Sequence, residues 1–244
     1  TMEEIGLENV TVDKTRLDGW TFNGANITFK NADGEEEKID LGGYQTTIQA
    51  DNETVEVVYL GKGTAEDYEN VDVTGKLVLI DINQNEEWWI NSPAYQAHVK
   101  GAKAVLANTE LPVEMDDRIG TQDICGPEDA PAMGISQEDT DALKEAIKAS
   151  GKNEIEVVLN ADSVVTEDAE SQNVWGEIPG KTDEVIYMMA HMDGYFHSFY
   201  DDASGVGLIL GSAKAMIDSG YKPDKTIRFI CHGAEEWGKI DSQS

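Results

Sequence analysis

An imidazole and a set of carboxylates carry the most chemistry this sequence offers: His191, Asp193, Asp201, Glu235 and Glu236. A histidine with carboxylates and no thiolate is a donor set suited to zinc or a similar divalent ion. A carboxylate shortly beyond a ligating histidine can accept the ring's second N–H, which fixes the tautomer and raises its basicity. Asp193 stands in that position to His191. The adjacent Glu235 and Glu236 offer one carboxylate for metal and one for proton transfer to or from water. Singly these residues carry little, because acidic loop residues are usually solvated and the chain is full of them. Their joint placement gives them meaning.

That placement follows from the elements around them. Val185–Ala190 is a short apolar run that predicts a buried strand, and His191-Met192-Asp193 follows at once. Gly205–Ser219 is apolar almost all round and closes on Gly220, which predicts a buried helix with a glycine stop. Thr226–Cys231 predicts a second buried strand, with Glu235 four residues beyond it. Strand, helix, strand implies a parallel pair with a right-handed connection. Ligands of such sheets bind beyond the carboxyl ends of the strands. All five residues fall at that edge.

Three strings carry a family resemblance: His191-Met192-Asp193, Asp201-Asp202-Ala203-Ser204-Gly205 and Glu235-Glu236-Trp237-Gly238. They resemble the His-x-Asp, Asp-(Asp/Asn)-x-Ser-Gly and Glu-Glu-x-Gly motifs of the co-catalytic zinc aminopeptidases of the bacterial leucyl-aminopeptidase type. That family also includes glutamate carboxypeptidases. The resemblance implies that His191 ligates one zinc ion, Asp201 bridges two, and Glu236 ligates the second. Glu235 would be the general base on a water held between the metals, and Asp193 would orient His191. The implied activity is removal of N-terminal residues from peptides by a hydroxide bound to two zinc ions. A cis peptide is expected at Asp201–Asp202. The short gap from His191 to Asp201 argues against a related carboxypeptidase family with a longer insertion there.

The family supplies one further ligand per metal, an Asp and a His, well downstream of the Glu-Glu pair. This sequence stops at Ser244, eight residues past Glu236; Asp241 is too near, and no histidine follows His232. Met2–Val10 reads as the end of a helix running into a strand, as the family's second element ends. The chain is therefore expected to be an internal or trimmed piece of a larger peptidase. Two zinc ions are expected in the complete protein, and weak binding or none, with no activity, in this piece.

The middle of the chain reads as a separate β-rich unit. Short β-like runs stand at Tyr44–Ala50, Val55–Leu60, Lys76–Ile82, Ala104–Leu106 and Ile155–Leu159, with turn signals between them. Helices fit at Pro93–Lys100 and at Glu138–Ser150, the second with Ser136 as N-cap and Gly151 as stop. The strings Asp72–Ile80 and Ala97–Val105 resemble the protease-associated domain, where a Gly-Lys-Ile-Val-Leu strand precedes a helix and a Gly-Ala-x-Ala-Val strand. Such domains are inserted in this class of aminopeptidase. The expected organisation is 1–41 as the start of the peptidase domain, 42–162 as the insert and 163–244 as the central part of the peptidase domain. The fold class is α/β, a partial α/β/α zinc-peptidase domain on a mixed or parallel sheet with the insert added. Ala161–Ser171, acidic and polar, reads as the returning linker, and Ser171–Gly180 as a strand and turn that resume the catalytic sheet.

Other candidates are weaker. Trp88 and Trp89, with Glu86, Glu87, Ile90 and Tyr95, form an aromatic cluster that either packs a core or offers a wall to a hydrophobic substrate side chain. His197, in the loop between His191 and Asp201, either reaches substrate or is solvated. His98 reads as a surface residue, and His232 as structural or supporting.

Composition narrows the partners. Acidic residues number 48 against 18 basic, a net charge of −30, so nucleic acid and anionic membranes are excluded as partners. The field favours cations and basic peptides. Peptide substrates are the implied partners, and a truncated sheet with an unpaired edge invites self-association. No run approaches the length of a membrane span. The two cysteines, Cys125 and Cys231, fall in different expected domains; they suit a reducing compartment, which favours a cytoplasmic over a secreted protein. Two functional classes remain: a metallo-aminopeptidase, and a non-catalytic receptor-like relative that binds through the inserted domain. A glutamate carboxypeptidase needs a cationic pocket, and Arg118 and Arg228 are the only arginines beyond Arg16.

Overall fold

The computed structural model describes residues 1–83, 91–110, 119, 130–194 and 197–236. Trp88, Trp89, Arg118, Cys125, Trp237, Gly238 and Asp241 lie outside the described residues. The chain divides into two compact units, one formed by Trp20–Thr166 and the other by Thr1–Gly19 with Glu167–Ser244. Two long strands, β1 (Glu8–Lys30) and β7 (Glu154–Ile178), run from one unit into the other.

The unit of residues 20–166 is built on a sheet in the order β1-β2-β6-β5-β4-β3-β7. Its further elements are β2 (Glu36–Gly43), β3 (Ile48–Tyr59), β4 (Leu77–Asn83), β5 (Ala104–Glu110) and β6 (Ala132–Ile135). Strands β3, β4, β5 and β6 run parallel to one another, while β1–β2, β2–β6 and β3–β7 are antiparallel. Alternation along β4 explains its continuous apolar run, because parallel strands bury both faces. Leu77 and Leu79 join one core with Leu143, Ala146 and Ile147, whereas Val78, Ile80 and Ile82 join another with Ala94 and Ala97. The first set of partners lies on α3 (Gln137–Ser150) and the second on α2 (Asn91–Val99). Each such aliphatic side chain, once buried, contributes about 1.5–3 kcal/mol. As expected, Ser136 caps α3 by accepting the Asp139 N–H at 3.1 Å, and Gly151 ends it at φ +70°.

Several expectations shift here. Residues 20–41 were placed with the peptidase part, yet Ala25–Leu41 pair as a hairpin and Ile27, Phe29, Ile39 and Leu41 sit in the core with α3. Tyr44–Ala50 and Val55–Leu60 are not two strands: β3 is a single strand with a register shift between Ala50 and Glu53, and Tyr44 precedes it. Ala161–Ser171 is no linker but the middle of β7. An open cavity of about 700 Å3 in this unit is lined by β1, α3 and β7 residues such as Lys30, Ser150 and Glu156, and holds none of the candidate site residues.

The other unit contains α1 (Met2–Ile5), β8 (Thr182–His191), a π-type turn at Phe199–Ala203, α4 (Ser204–Asp218) and β9 (Lys225–His232). Its strands lie in the order β7-β9-β8; β8 and β9 are parallel and in register from Val185↔Thr226 to His191↔His232, as the strand–helix–strand pattern requires. Met2 and Leu7 pack with Ile209 and Ala213 of α4 against Ile178, Ile227, Phe229 and Cys231. Cys231 is buried and unbonded, and burial raises its thiol pKa. The opposite sheet face carries Arg228, whose guanidinium lies 4.0 Å over the Trp175 ring and is held by the Glu177 carboxylate at 3.0 Å. Among the described residues no helix covers that face, so the second helical layer of an α/β/α sandwich is not present there. β8 and α4 are less buried than their apolar sequences predict. Ile186, Tyr187 and Met189 of β8 and Leu208 of α4 are exposed. No helix among the described residues is long and apolar enough to cross a membrane.

Candidate metal centre

The last residue of β8 is His191, and the in-register pairing puts it beside His232, the last residue of β9. Both strands therefore end at one level, and the segments that leave them converge there. His191 is 8% exposed, and its two ring nitrogens face different partners. Nδ1 lies 3.1 Å from the Asp193 main-chain oxygen, and Nε2 lies 2.9 Å from Oδ1 of Asp201. Glu235 Oε2 is 3.9 Å from Nε2. Ligand atoms of His191, Asp201 and Glu236 all fall within 4.8 Å of one another. Burial by itself lowers the His191 pKa. Against this, the Asp201 hydrogen bond, the Asp193 carbonyl and the charges of Glu235 and Asp193 together hold it above the usual value.

Asp201 reaches the cluster from the π-type turn. The Asp201–Asp202 peptide is cis, as expected. Asp202 turns the other way and caps α4 by accepting the Gly205 N–H at 3.0 Å. Gly205 leaves room for that contact, since a Cβ there would stand 2.2 Å from Asp202 Oδ1.

Asp193 departs from the expected arrangement. Its carboxylate Oδ1 is 3.6 Å from His191 Nδ1, too long for a hydrogen bond, and the main-chain carbonyl of the same residue takes that bond instead. The other oxygen, Oδ2, is engaged by the Glu236 N–H at 3.1 Å. Oδ1 itself is buried with no hydrogen-bond partner among the described residues.

The turn that presents Glu235 and Glu236 is held at both ends. Gly233 donates its N–H to Asn173 Oδ1 on β7 at 3.1 Å, and Glu236 donates to Asp193. Between them Ala234 adopts φ +64°. That left-handed conformation costs a residue with a Cβ about 1–2 kcal/mol. Asn173 was not singled out from sequence; it comes 60 positions before its partner, and no local pattern marks it.

His197 is exposed, and the ligand-atom cluster does not include it. The His232 ring lies 6.1 Å from that of His191, tilted by 49°, beside the cluster rather than in it. His98 is half-buried on α2, less superficial than its surroundings in sequence indicate. Trp88 and Trp89 cannot be placed relative to the cluster, as they fall outside the described residues.

A histidine and carboxylates thus gather at the carboxyl ends of two parallel strands. Residues 173–244 match the model of peptidase family M28. Among curated proteins the chain is similar to Aminopeptidase YwaD of Bacillus subtilis (strain 168), with 31% identity over 192 residues, 75% of this chain and 37% of that protein. Its fold is that of a peptidase M28 precursor from Shewanella amazonensis SB2B, at TM-score 0.80 and 22% identity over 97% of this chain and 57% of that one. It is also that of BSAP, a zinc aminopeptidase from Bacillus subtilis, at TM-score 0.72 and 23% identity over 97% of this chain and 53% of that one. The chain thus spans about a third to somewhat over half of the length of these relatives.

Proposed function

We propose that this chain is part of a zinc-dependent aminopeptidase, with its reaction centre at the carboxyl ends of β8 and β9. The observation that carries the proposal is the convergence of His191, Asp201 and Glu236 ligand atoms within 4.8 Å. The donor set fits zinc: an imidazole nitrogen and carboxylate oxygens, no thiolate, and a buried carboxylate oxygen on Asp193 awaiting a partner. His191, Asp201 and Glu236 are the residues that would hold the metal. Zinc bound there would polarise a scissile carbonyl and acidify a water molecule.

The remaining work falls to the chain's own groups. The Asp193 carbonyl accepts the Nδ1 proton of His191, which would leave Nε2, on the Asp201 side, to the metal. Glu235, half exposed and 3.9 Å from Nε2, is the base that takes a proton from the attacking water and returns it to the leaving amine. The acidic surface favours a peptide's cationic N-terminus. We read the central unit as the inserted protease-associated domain, without catalytic residues, and peptides as the substrates.

Zinc titration by calorimetry, paired with hydrolysis of leucine p-nitroanilide, on a protein extended to the length of these relatives, tests this reading. Saturable zinc binding that His191→Ala weakens at least tenfold is the expected result. An extended protein that takes up no zinc and cleaves no aminoacyl amide would instead belong with the non-catalytic, binding relatives.

A further inference from the structure

The Glu235–Glu236 turn is anchored from outside the parallel pair that bears it. We propose that Asn173 is a positioning residue for this turn. Its side-chain carbonyl holds Gly233 so that Glu235 and Glu236 face His191 and Asp201. The proposal rests on the metallo-aminopeptidase reading for its functional meaning, but its geometry stands apart from it.

Two independent observations support the assignment. The first is the hydrogen bond itself, Gly233 N–H to Asn173 Oδ1 at 3.1 Å, from a half-buried side chain. The second is steric. A Cβ on Gly233 would stand 2.8 Å from Ser171 Oγ and 2.9 Å from the Gln172 carbonyl, so β7 and the turn are pressed together along three consecutive β7 residues. Strained backbone persists where the surroundings over-determine it. Ala234, at φ +64°, sits between two such determinants, the Asn173 bond on its N-terminal side and the Asp193 bond to Glu236 on its C-terminal side. Release of the first anchor lets Ala234 relax out of the left-handed region. Glu236 then leaves the cluster and Glu235 its rim.

A residue that merely stabilised the sheet would loosen β9 as a whole. A positioning residue loosens the turn alone. Amide hydrogen exchange followed by NMR separates the two in wild type, Asn173→Ala and Asn173→Asp, the last of which keeps an acceptor oxygen. The expected result is at least tenfold faster exchange at Gly233 and Glu236 in Asn173→Ala, unchanged exchange across Thr226–Cys231, and restored protection in Asn173→Asp. Unchanged exchange at Gly233 and Glu236, or equal acceleration along β9, overturns the proposal. Zinc titration of the same proteins, extended to the length of the relatives, links the anchor to the site: Asn173→Ala should bind at least tenfold more weakly than wild type. Undiminished zinc affinity in Asn173→Ala refutes the functional half. If wild type binds no zinc, the metal reading fails by itself, and the exchange data still decide whether Asn173 sets the turn.

Discussion

The Asp193 carboxylate accepts the Glu236 main-chain N–H at 3.1 Å, which ties the segment leaving β8 to the segment leaving β9. One residue thus sets the orientation of His191 through its carbonyl and the position of Glu236 through its side chain. Asp193→Ala removes the side-chain tie and leaves the carbonyl. Outer partners of this kind change metal affinity by about 10–100-fold. We expect Asp193→Ala to lose zinc affinity in that range by calorimetry, with Asp193→Asn, which keeps an acceptor oxygen, losing less. Equal affinities for wild type and Asp193→Ala would remove Asp193 from the site.

Glu235 and Glu236 are neighbours with separable roles. Only Glu236 belongs to the cluster of ligand atoms, and Glu235 reaches its rim. Glu235→Gln keeps the size and removes the base. In the protein extended to the length of its relatives, zinc binding should survive that change, while turnover of leucine p-nitroanilide falls by about 10²–10⁴-fold, the range of a lost general base. Glu236→Gln should lose zinc binding first. The assignment is reversed if Glu235→Gln abolishes metal uptake.

The central unit has a polar knot with a pH signature of its own. Asp81 on β4 receives Lys144 Nζ at 2.7 Å on both oxygens, Asn108 Nδ2 at 2.8 Å and the Tyr59 hydroxyl at 2.5 Å. Burial alone raises the Asp81 pKa, and these donors outweigh it, leaving the group below its usual value. A carboxyl depressed by folding contributes stability that is fully present above its unfolded pKa, about 3.9, and is lost as pH falls through the folded value. Tyr59 has the opposite sign. Burial and the Asp81 charge raise its pKa to about 12, so its contribution is present below the unfolded value and lost as pH rises through the folded one. Urea unfolding of wild type should therefore weaken at both pH extremes, and Asp81→Asn should flatten the acid limb. At neutral pH Asp81→Ala strands Lys144 and should cost about 2–4 kcal/mol. An acid limb of the same slope in Asp81→Asn would dissociate Asp81 from it.

Legibility from sequence followed burial. Where a strand or helix buries a whole face, its pattern was readable: β4, α3, and the β8–α4–β9 unit with the convergence of His191, Asp193, Asp201, Glu235 and Glu236 at one edge. Elements held mainly by pairing were not. Glu167, Asp168 and Glu170 in β7 are charged and exposed, yet they continue a strand joined to β1 through Lys14–Glu170 and Arg16 to the Asp168 carbonyl. β2 ends in Gly42-Gly43, which reads as a turn. Both glycines are strand residues because side chains crowd them: Cβ atoms would stand 2.5 Å from Ile119 and 2.6 Å from Phe22 and Trp20. The anchoring by Asn173 was invisible because a hydrogen bond across strands leaves no local period. The exposure of β8 was misjudged because apolar content shows what a strand is able to bury, and neighbours decide what it does bury.

That exposure leads to a prediction about assembly. β8 is the outer strand of its sheet among the described residues, and its stretch Val185–Ala190 contains no charge, proline or glycine. Edge strands are ordinarily protected by charges, prolines or bulges, because their unpaired N–H and C=O groups template association. Here the guards sit only at the entrance, at Asp183 and Glu184, while Ile186, Tyr187 and Met189 stand 49%, 55% and 61% exposed. The chain's net charge of −30 opposes assembly, and salt screens that repulsion within about 8–10 Å. Association through β8 should therefore strengthen with ionic strength, the reverse of an ion-paired interface. Light scattering across a salt series should show the wild-type mass rising, and Met189→Lys, which puts a charge on the open sheet face beside the edge, should hold the chain monomeric. Wild type that stays monomeric at high salt would show that this edge is protected by something other than its own sequence.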